Sequence, residues 1–314
     1  MNTTGGSRVV VTGATGFVGR ALCETLSKAG HRVVPVVRNS AGLSDEVVIG
    51  DIGPATDWCA ILPGCDAVIH LAARVHAGPA RDAGGLSAYR RINTEATLSL
   101  ARQAVRAGVK RFVFVSTIKV NGEGGARPYR ETDAPAPADA YAVSKWEAEV
   151  GLHRIASETG LEIVVLRPPL VYGPGVRANF LQLMRAIERG FPLPLGAIHN
   201  RRSLLYLGNL TDALRLCLEH PGAAGRTFLL DDGKAVSTPE LVCALAQAMG
   251  RPARLFSMPP WMLRAMGRLL GRTAELDRLM GSLDVDGSVI RSQLGWMPPC
   301  SMAAGLAATV AASA

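Results

Sequence analysis

Tyr141 and Lys145 stand four residues apart in Tyr141-Ala142-Val143-Ser144-Lys145, and Val115-Ser116-Thr117 precedes them in the chain. On a helix that spacing puts both side chains on one face, a turn apart. A free phenol has a pKa of about 10, too high for a base at neutral pH. A neighbouring ammonium favours the phenolate, so Lys145 can make Tyr141 competent in proton transfer. A hydroxyl from Thr117, or from Ser116, could hold a substrate oxygen against the phenol. The set suits reversible oxidation of an alcohol wherever a hydride acceptor lies close. Tyr-x-x-x-Lys also arises by chance on amphipathic helices, so its meaning rests on the elements around it.

Arg8–Thr12 is a short β-branched run of the kind that forms a buried parallel strand. It leads into Gly13-Ala14-Thr15-Gly16-Phe17-Val18-Gly19 and then a helical pattern that ends at Gly30. Strand, glycine turn and helix in that order make a dinucleotide site: the glycines admit a pyrophosphate, which sits on the helix N-terminal amides. The next strand, from His31 to Val37, ends at Arg38. A basic residue there can pair with a 2′-phosphate, where an acidic one would hold a ribose hydroxyl, so Arg38 tilts the cofactor from NAD towards NADP. Further strands are expected at Val47–Ile52, Ala67–Ala73, Arg111–Thr117 and Glu162–Arg167, with a long helix over 88–107 containing Asn93. Asp51 could accept a hydrogen bond from an adenine amino group. The alternation predicts an α/β fold, a doubly wound parallel (Rossmann) sheet with ligands at the strands' carboxyl ends. Thr117 and the glycine turn both lie at such ends, which gives the Tyr141–Lys145 pair its weight.

The whole chain of 314 residues is 48% hydrophobic and 19% charged, an ordinary globular composition. Its net charge of +8 comes from scattered arginines rather than basic blocks, which argues against nucleic-acid binding and suits an anionic small ligand. Six cysteines form no C-x-x-C pair, and neither they nor the histidines fall at zinc-ligand spacing, so no metal site is expected. No signal peptide and no apolar run of membrane-spanning length is read, and a cytoplasmic protein is expected.

Thr12-Gly13-x-x-Gly16-x-x-Gly19, Gly50-Asp51-Ile52, His70-Leu71-Ala72-Ala73, Asn93, Val115-Ser116-Thr117, Tyr141-x-x-x-Lys145 and Arg167-Pro168-x-x-Val171-Tyr172-Gly173-Pro174 occur in one order. Together they resemble the extended short-chain dehydrogenase/reductases, in the UDP-glucose 4-epimerase-like branch. The resemblance implies Tyr141 as the proton-transfer residue, Lys145 tuning it and binding the nicotinamide ribose, and Thr117 as the catalytic hydroxyl. Gly13, Gly16, Phe17, Val18 and Gly19 would cradle the pyrophosphate. Asp51 and Ile52 would flank the adenine, and Leu71, Ala72, Ala73, Asn93, Ser116 and Pro168 would lie along the cofactor. Two departures stand out: Arg38 replaces the acidic residue of NAD-specific members, and Arg167-Pro168-Pro169-Leu170 replaces the epimerases' Arg-Tyr-Phe-Asn. A homodimer through the helices at 88–107 and 139–159 is also implied.

After Arg167, proline and glycine increase, and residues 169–314 read mainly as a smaller substrate lobe following a dinucleotide-binding domain over 1–168, with some later segments returning to the sheet. By resemblance Asn179 and Phe180 meet a nucleotide, although Phe180 and Leu181 could equally be core. Arg202 and Arg278 are candidate diphosphate contacts, since a guanidinium matches phosphate with forked donors. The stretch 259–272 carries Met262, Met266, Leu269 and Leu270 on one stripe and Arg264, Arg268 and Arg272 on another. It is expected to cover the lobe's core, with a membrane surface as the alternative. The Ala-rich end, 303–314, is expected to fray.

The leading expectation is a 4-epimerase of a UDP-hexose or UDP-N-acetylhexosamine for surface-polysaccharide precursors. The alternative is an NADPH-dependent reductase of a 4-keto-6-deoxy sugar nucleotide, which Arg38 would suit. A 4,6-dehydratase is disfavoured because Ile118-Lys119 stand where the resembling dehydratases carry an acidic pair. A non-catalytic NADP-binding regulator would lack the tyrosine or the lysine, and both are present.

Overall fold

The computed structural model describes residues 6–75, 85–125, 127–269, 271 and 273–313. Its elements run β1 (Arg8–Thr12), α1 (Phe17–Lys28), β2 (Arg32–Val37), β3 (Val47–Val48), β4 (Ala67–His70), α2 (Gly85–Tyr89), α3 (Ala96–Arg106), β5 (Arg111–Val115), α4 (Ala140–Thr159), β6 (Glu162–Arg167) and β7 (Leu170–Tyr172). Then come α5 (Ala178–Glu188), β8 (Leu204–Tyr206), α6 (Leu207–Glu219), β9 (Thr227–Leu229), α7 (Thr238–Ala248), α8 (Pro260–Leu269), α9 (Thr273–Met280), α10 (Ser288–Leu294) and α11 (Met302–Ala311).

Seven strands form one sheet in the order β3-β2-β1-β4-β5-β6-β9, every pairing parallel. Both faces are covered, so the strands read as unbroken apolar runs rather than alternating ones. Val9, Val11, Ile69, Val113 and Val164 pack towards α1, α6 and α10, whereas Val10, Val68, Phe112, Phe114 and Val165 pack towards α3 and α4. The strand order reverses between β1 and β4, and a ligand crevice opens at the carboxyl ends beside such a reversal. Register sets Thr12, His70 and Phe114 side by side there, with Val115 level with Leu166.

The second sheet is the pair β7–β8, over which α5, α7, α8 and α11 close a separate apolar cluster. The chain is not divided cleanly in sequence: β9 joins the edge of the main sheet, and α6 packs on α1 with Thr25 donating to Thr211 across 3.1 Å. Arg111, at the start of β5, locks this return by donating to the carbonyls of Cys217, Leu218 and His220 at the end of α6 (3.1, 2.8 and 2.9 Å).

Several expectations change. The third strand is two residues long because Gly50 turns away with φ +72. The single helix over 88–107 is instead α2, a π-helical stretch Arg90–Glu95 and α3. The C-terminal helix is docked rather than frayed. Ser301 caps it, Leu306 and Thr309 are buried, and a Cβ on Gly305 would come within 2.9 Å of the Tyr172 hydroxyl. The Met262-Met266-Leu269 stripe does not cover a core: Leu263 and Gly267 face inward, and the stripe lies in solvent. Leu270 and Arg272 lie outside the described residues.

Candidate active site

The glycine turn follows β1 directly. Gly13 takes φ +70, and a Cβ there would sit 2.9 Å from the Ala72 amide nitrogen. A Cβ on Gly19 would lie 2.2 Å from the Gly13 carbonyl oxygen, so this glycine lets α1 start hard against the turn. Gly16 caps α1 with extended backbone and no side-chain bond, which leaves the helix dipole's positive end facing the crevice. Phe17 and Val18, the first residues of α1, put backbone here while the Phe17 side chain packs on the cluster over β7–β8 and that of Val18 on the α1–α6 side of the main sheet. Gly19→Ala is expected to cost at least the usual overpacking penalty of about 1–3 kcal/mol. A lowered melting temperature with weakened dinucleotide binding checks it; an unchanged variant would mean that the turn is not packed this way.

Below the turn runs a chain of buried hydroxyls. The Thr97 hydroxyl donates to the Asn93 carbonyl (2.8 Å), so it accepts from His70 Nε2 (3.0 Å). His70 Nδ1 then accepts from Thr12 Oγ1 (2.7 Å), which itself accepts from the Ala72 amide (3.2 Å). This ordering requires a neutral imidazole. Full burial, with Lys145 nearby, pushes its pKa down to about 3. The strand end and the Leu71-Ala72-Ala73 segment are thereby fixed together.

Asn93 continues the clamp. Its Oδ1 accepts from the Arg74 amide (2.7 Å), while its Nδ2 donates to the Arg74 carbonyl and to Ser144 Oγ (3.0 and 2.9 Å). The π-helical stretch adds a residue within its turn and so aims Asn93 at both neighbours, a common use of such turns at functional sites. Expected to lie along the cofactor, Asn93 is fully buried and acts as a positioning residue between the loop after β4 and the helix α4.

Thr117, at the end of the β5 turn, is almost buried and accepts from the Lys119 amide (3.3 Å). Lys119 Nζ reaches both Glu123 (2.8 Å) and Asp139 (2.7 Å), and Asp139 caps α4 by accepting from the Ala142 amide (2.7 Å). One ion pair therefore ties the Thr117 turn to the helix start that carries Tyr141. Sequence reading weighed Lys119 only as an absent carboxylate and missed this link.

Tyr141 stands edge-on to Tyr89 at 6.5 Å between ring centroids, and Arg74 lies over the Tyr89 ring at 5.4 Å. Burial, aided by the Asp139 charge, raises the phenol's pKa above its ordinary value of 10. The expected lowering by Lys145 is absent from this arrangement. The lysine is buried with its ammonium 3.9 Å from the Phe114 ring centroid, and burial takes it from 10.5 down to about 7, partly countered by Glu149. Lys145 thus lies on the floor of the crevice beside His70 and Phe114.

Lys145→Met tests that burial. The unfolded chain keeps the ammonium to about pH 10.5 and the folded chain only to about 7, so between those values the unfolded state binds more protons and stability rises with pH. The penalty is fully present below pH 7. The variant should therefore exceed the native protein in stability there, by on the order of a few kcal/mol, with the gap closing towards pH 10. Melting curves across that range check it, and a gap independent of pH would refute it.

Other expected residues divide. The buried Ser116 hydroxyl donates to Glu149, which pairs with Arg167 (Nη2–Oε2, 2.5 Å), and Arg167 Nη1 donates to Asn121 Oδ1 (2.9 Å). Pro168 is buried at the end of β6, where its carbonyl accepts from the Ile118 amide (3.1 Å). Arg38, expected to meet a phosphate, pairs with Asp51 at 2.7 Å, both side chains exposed. Ile52 is half-buried and packs on the α3–α4 side of the sheet. Phe180 is core, stacked on Tyr172 at 5.6 Å, while its neighbour Asn179 is exposed. Arg202 is half-buried between the backbones of Val236 and Leu283, and its Nη1 reaches the Gly281 carbonyl (3.2 Å). The side chain of Arg278 lies outside the described residues. No group of metal-ligating side chains occurs among the described residues.

The sequence pattern of the "NAD dependent epimerase/dehydratase family" matches residues 9–230. A UDP-glucose 4-epimerase of Vibrio cholerae is 43% identical over 310 residues, covering 97% of this chain and 94% of that protein. An N-acetyl-alpha-D-glucosaminyl-diphospho-ditrans,octacis-undecaprenol 4-epimerase of Escherichia coli O157:H7 is 25% identical over 96% of this chain and 94% of its own. A solved structure of MoeE5 in complex with UDP-glucuronic acid and NAD superposes with a TM-score of 0.79, at 28% identity and 98% coverage of each chain. The glycine turn at the sheet reversal, the clamped Tyr141–Lys145 helix and these likenesses agree: the chain belongs to the NAD-dependent epimerase/dehydratase family.

Proposed function

We propose that this protein is a 4-epimerase of a UDP-hexose or UDP-N-acetylhexosamine, working with NAD. The observation that carries the reading is the near full-length 43% identity to a UDP-glucose 4-epimerase, with Thr117, Tyr141 and Lys145 all present. The cradle fits a dinucleotide: Gly13 and Gly19, where a Cβ would meet backbone, let α1 start hard against the strand end, and its uncapped terminus offers amides to a pyrophosphate. Asp51 beside Arg38 offsets the charge that a 2′-phosphate would need, which favours NAD over NADP.

When bound, the dinucleotide supplies the hydride acceptor and donor, and in its oxidised form a positive charge. Tyr141 takes the proton of the C4 hydroxyl and returns one after the sugar has turned its other face. Thr117 donates to the same oxygen and holds it against the phenol. A cation near Tyr141 favours the phenolate, which offsets the upward push of burial and Asp139. The aromatic wall of Tyr89 and the Phe114–His70 floor keep water from the reacting carbon.

Residues 169–314 supply the substrate lobe, with α6, β9 and α10 returned to the sheet. Arg202 and Arg278 hold the diphosphate and Asn179 meets the nucleotide in this reading. A homodimer through the helical segments 88–107 and 139–159 belongs to it as well, and Val150 is half-exposed on α4. Incubating the purified protein with UDP-glucose, or with UDP-N-acetylglucosamine, should give the C4 epimer without added dinucleotide. Dependence on stoichiometric NADPH, with reduction of a keto sugar, would replace the reading with the reductase.

A further inference from the structure

Leu263 is 2% exposed and Gly267 is buried, so these two residues form the seam by which α8 meets the second lobe. At 3.6 residues per turn, Met262, Met266 and Leu269 then fall on one flank of the helix and Arg264 and Arg268 on the other, with Trp261 between them facing outward. Trp261 is 69% and Leu269 88% exposed, and Met262, Met266 and the preceding Phe256 are exposed as well. Single exposed apolar side chains are ordinary, but the four on this one ten-residue helix form a patch that asks for a partner.

The charge around the patch indicates which partner. Residues 251–280 contain six arginines against Glu275 and Asp277 and no lysine, a marked share of the chain's net charge of +8. Arg264 approaches Asp277 at 3.8 Å, an exposed contact that leaves the segment strongly cationic. A second copy meeting this face about a two-fold axis would set arginine against arginine. An anionic headgroup layer meets both flanks at once, the arginines at phosphates and the methionines, leucine and tryptophan at the acyl boundary. Ten residues make a helix of about 15 Å, suited to lie in that boundary. No helix among the described residues is long and apolar enough to cross it.

We propose that α8 docks flat on the surface of an anionic bilayer and holds the enzyme there. The proposal goes beyond the epimerase reading and does not depend on it. The test is sedimentation of the full chain with vesicles of phosphatidylcholine alone and of phosphatidylcholine mixed with phosphatidylglycerol, at low and raised salt. The protein should pellet with the mixed vesicles and be released by salt. Arg264→Ala with Arg268→Ala should weaken binding roughly tenfold or more, and Met266→Glu with Leu269→Glu should abolish it. Melting curves of both double variants should match the native protein, showing that they fold. The proposal is overturned if the native protein ignores the mixed vesicles, if it binds both kinds alike, or if the Met266→Glu, Leu269→Glu variant binds undiminished. It is equally overturned if light scattering finds this face joining two copies while vesicles go unbound.

Discussion

Tyr141→Phe should lower turnover by about 10²–10⁴, the ordinary worth of a positioned acid–base group, while leaving dinucleotide affinity nearly unchanged. The Tyr141 and Tyr89 rings meet edge to face with centroids 6.5 Å apart, a ring contact that phenylalanine can also make. The clamp around it is also untouched: Asp139 still caps the helix, Lys119 still bridges to the Thr117 turn, and Ser144 still bonds Asn93. What disappears is the one atom that exchanges a proton with the sugar's C4 oxygen. Steady-state rates and a fluorescence titration with reduced dinucleotide separate the two effects. A variant that keeps native turnover would remove Tyr141 from the chemistry, and one that loses dinucleotide affinity equally would make it a cofactor ligand first.

The largest stability effect is expected at Glu149. Glu149 is fully buried and accepts from Ser116 and from Arg167, whose Nε lies 3.1 and 3.2 Å from its two carboxylate oxygens. The guanidinium also bonds Asn121 and lies 5.7 Å from the Trp146 ring. Glu149→Ala strands that guanidinium without a counter-charge in the core, which typically costs about 3–5 kcal/mol. For a domain of this size the melting temperature should fall by on the order of 10 °C. Glu149→Leu combined with Arg167→Met removes both charges and should recover much of the loss, since a well-packed apolar pair is often neutral by comparison. If the single and double variants melt together, the buried pair is not formed as described. Activity should fall with Glu149→Ala too, because Ser116 precedes Thr117 and its hydroxyl loses its anchor.

That network also shows where sequence reading stopped. Strands and glycine turn were legible because β-branched runs buried on both faces and three glycines at fixed spacing carry local signals, and Gly13 and Gly19 fill the steric roles that such spacing implies. Tyr141 and Lys145 were legible for the same reason, as a spacing on one helix. The bond of Ser116 to Glu149 is not legible in sequence, because the two lie 33 residues apart and are brought together by the packing of α4 on the sheet. Phe180 was weighed as ligand contact or core, and only the stack on Tyr172 decides for core. Nothing in the pattern of residues 88–107 announces the π-helical stretch, since the added residue leaves the apolar periodicity of α3 intact. Met262 and Met266 look like a core stripe by period alone, yet the adjacent Leu263 and Gly267 are the ones that pack. Lys145 shows the limit of pairwise reasoning: helical spacing puts it near Tyr141, but burial over Phe114 governs its charge.

In the proposed reaction one crevice removes hydrogen from C4 and restores it to the opposite face of the same carbon. A UDP-hexose deuterated at C4 tests it most directly. The label should survive in the C4 epimer recovered after many turnovers, with no net change in dinucleotide, and Tyr141→Phe should slow its appearance by about 10²–10⁴. Loss of the deuterium to water, or recovery of a stable oxidised or deoxygenated sugar in place of the epimer, would contradict it.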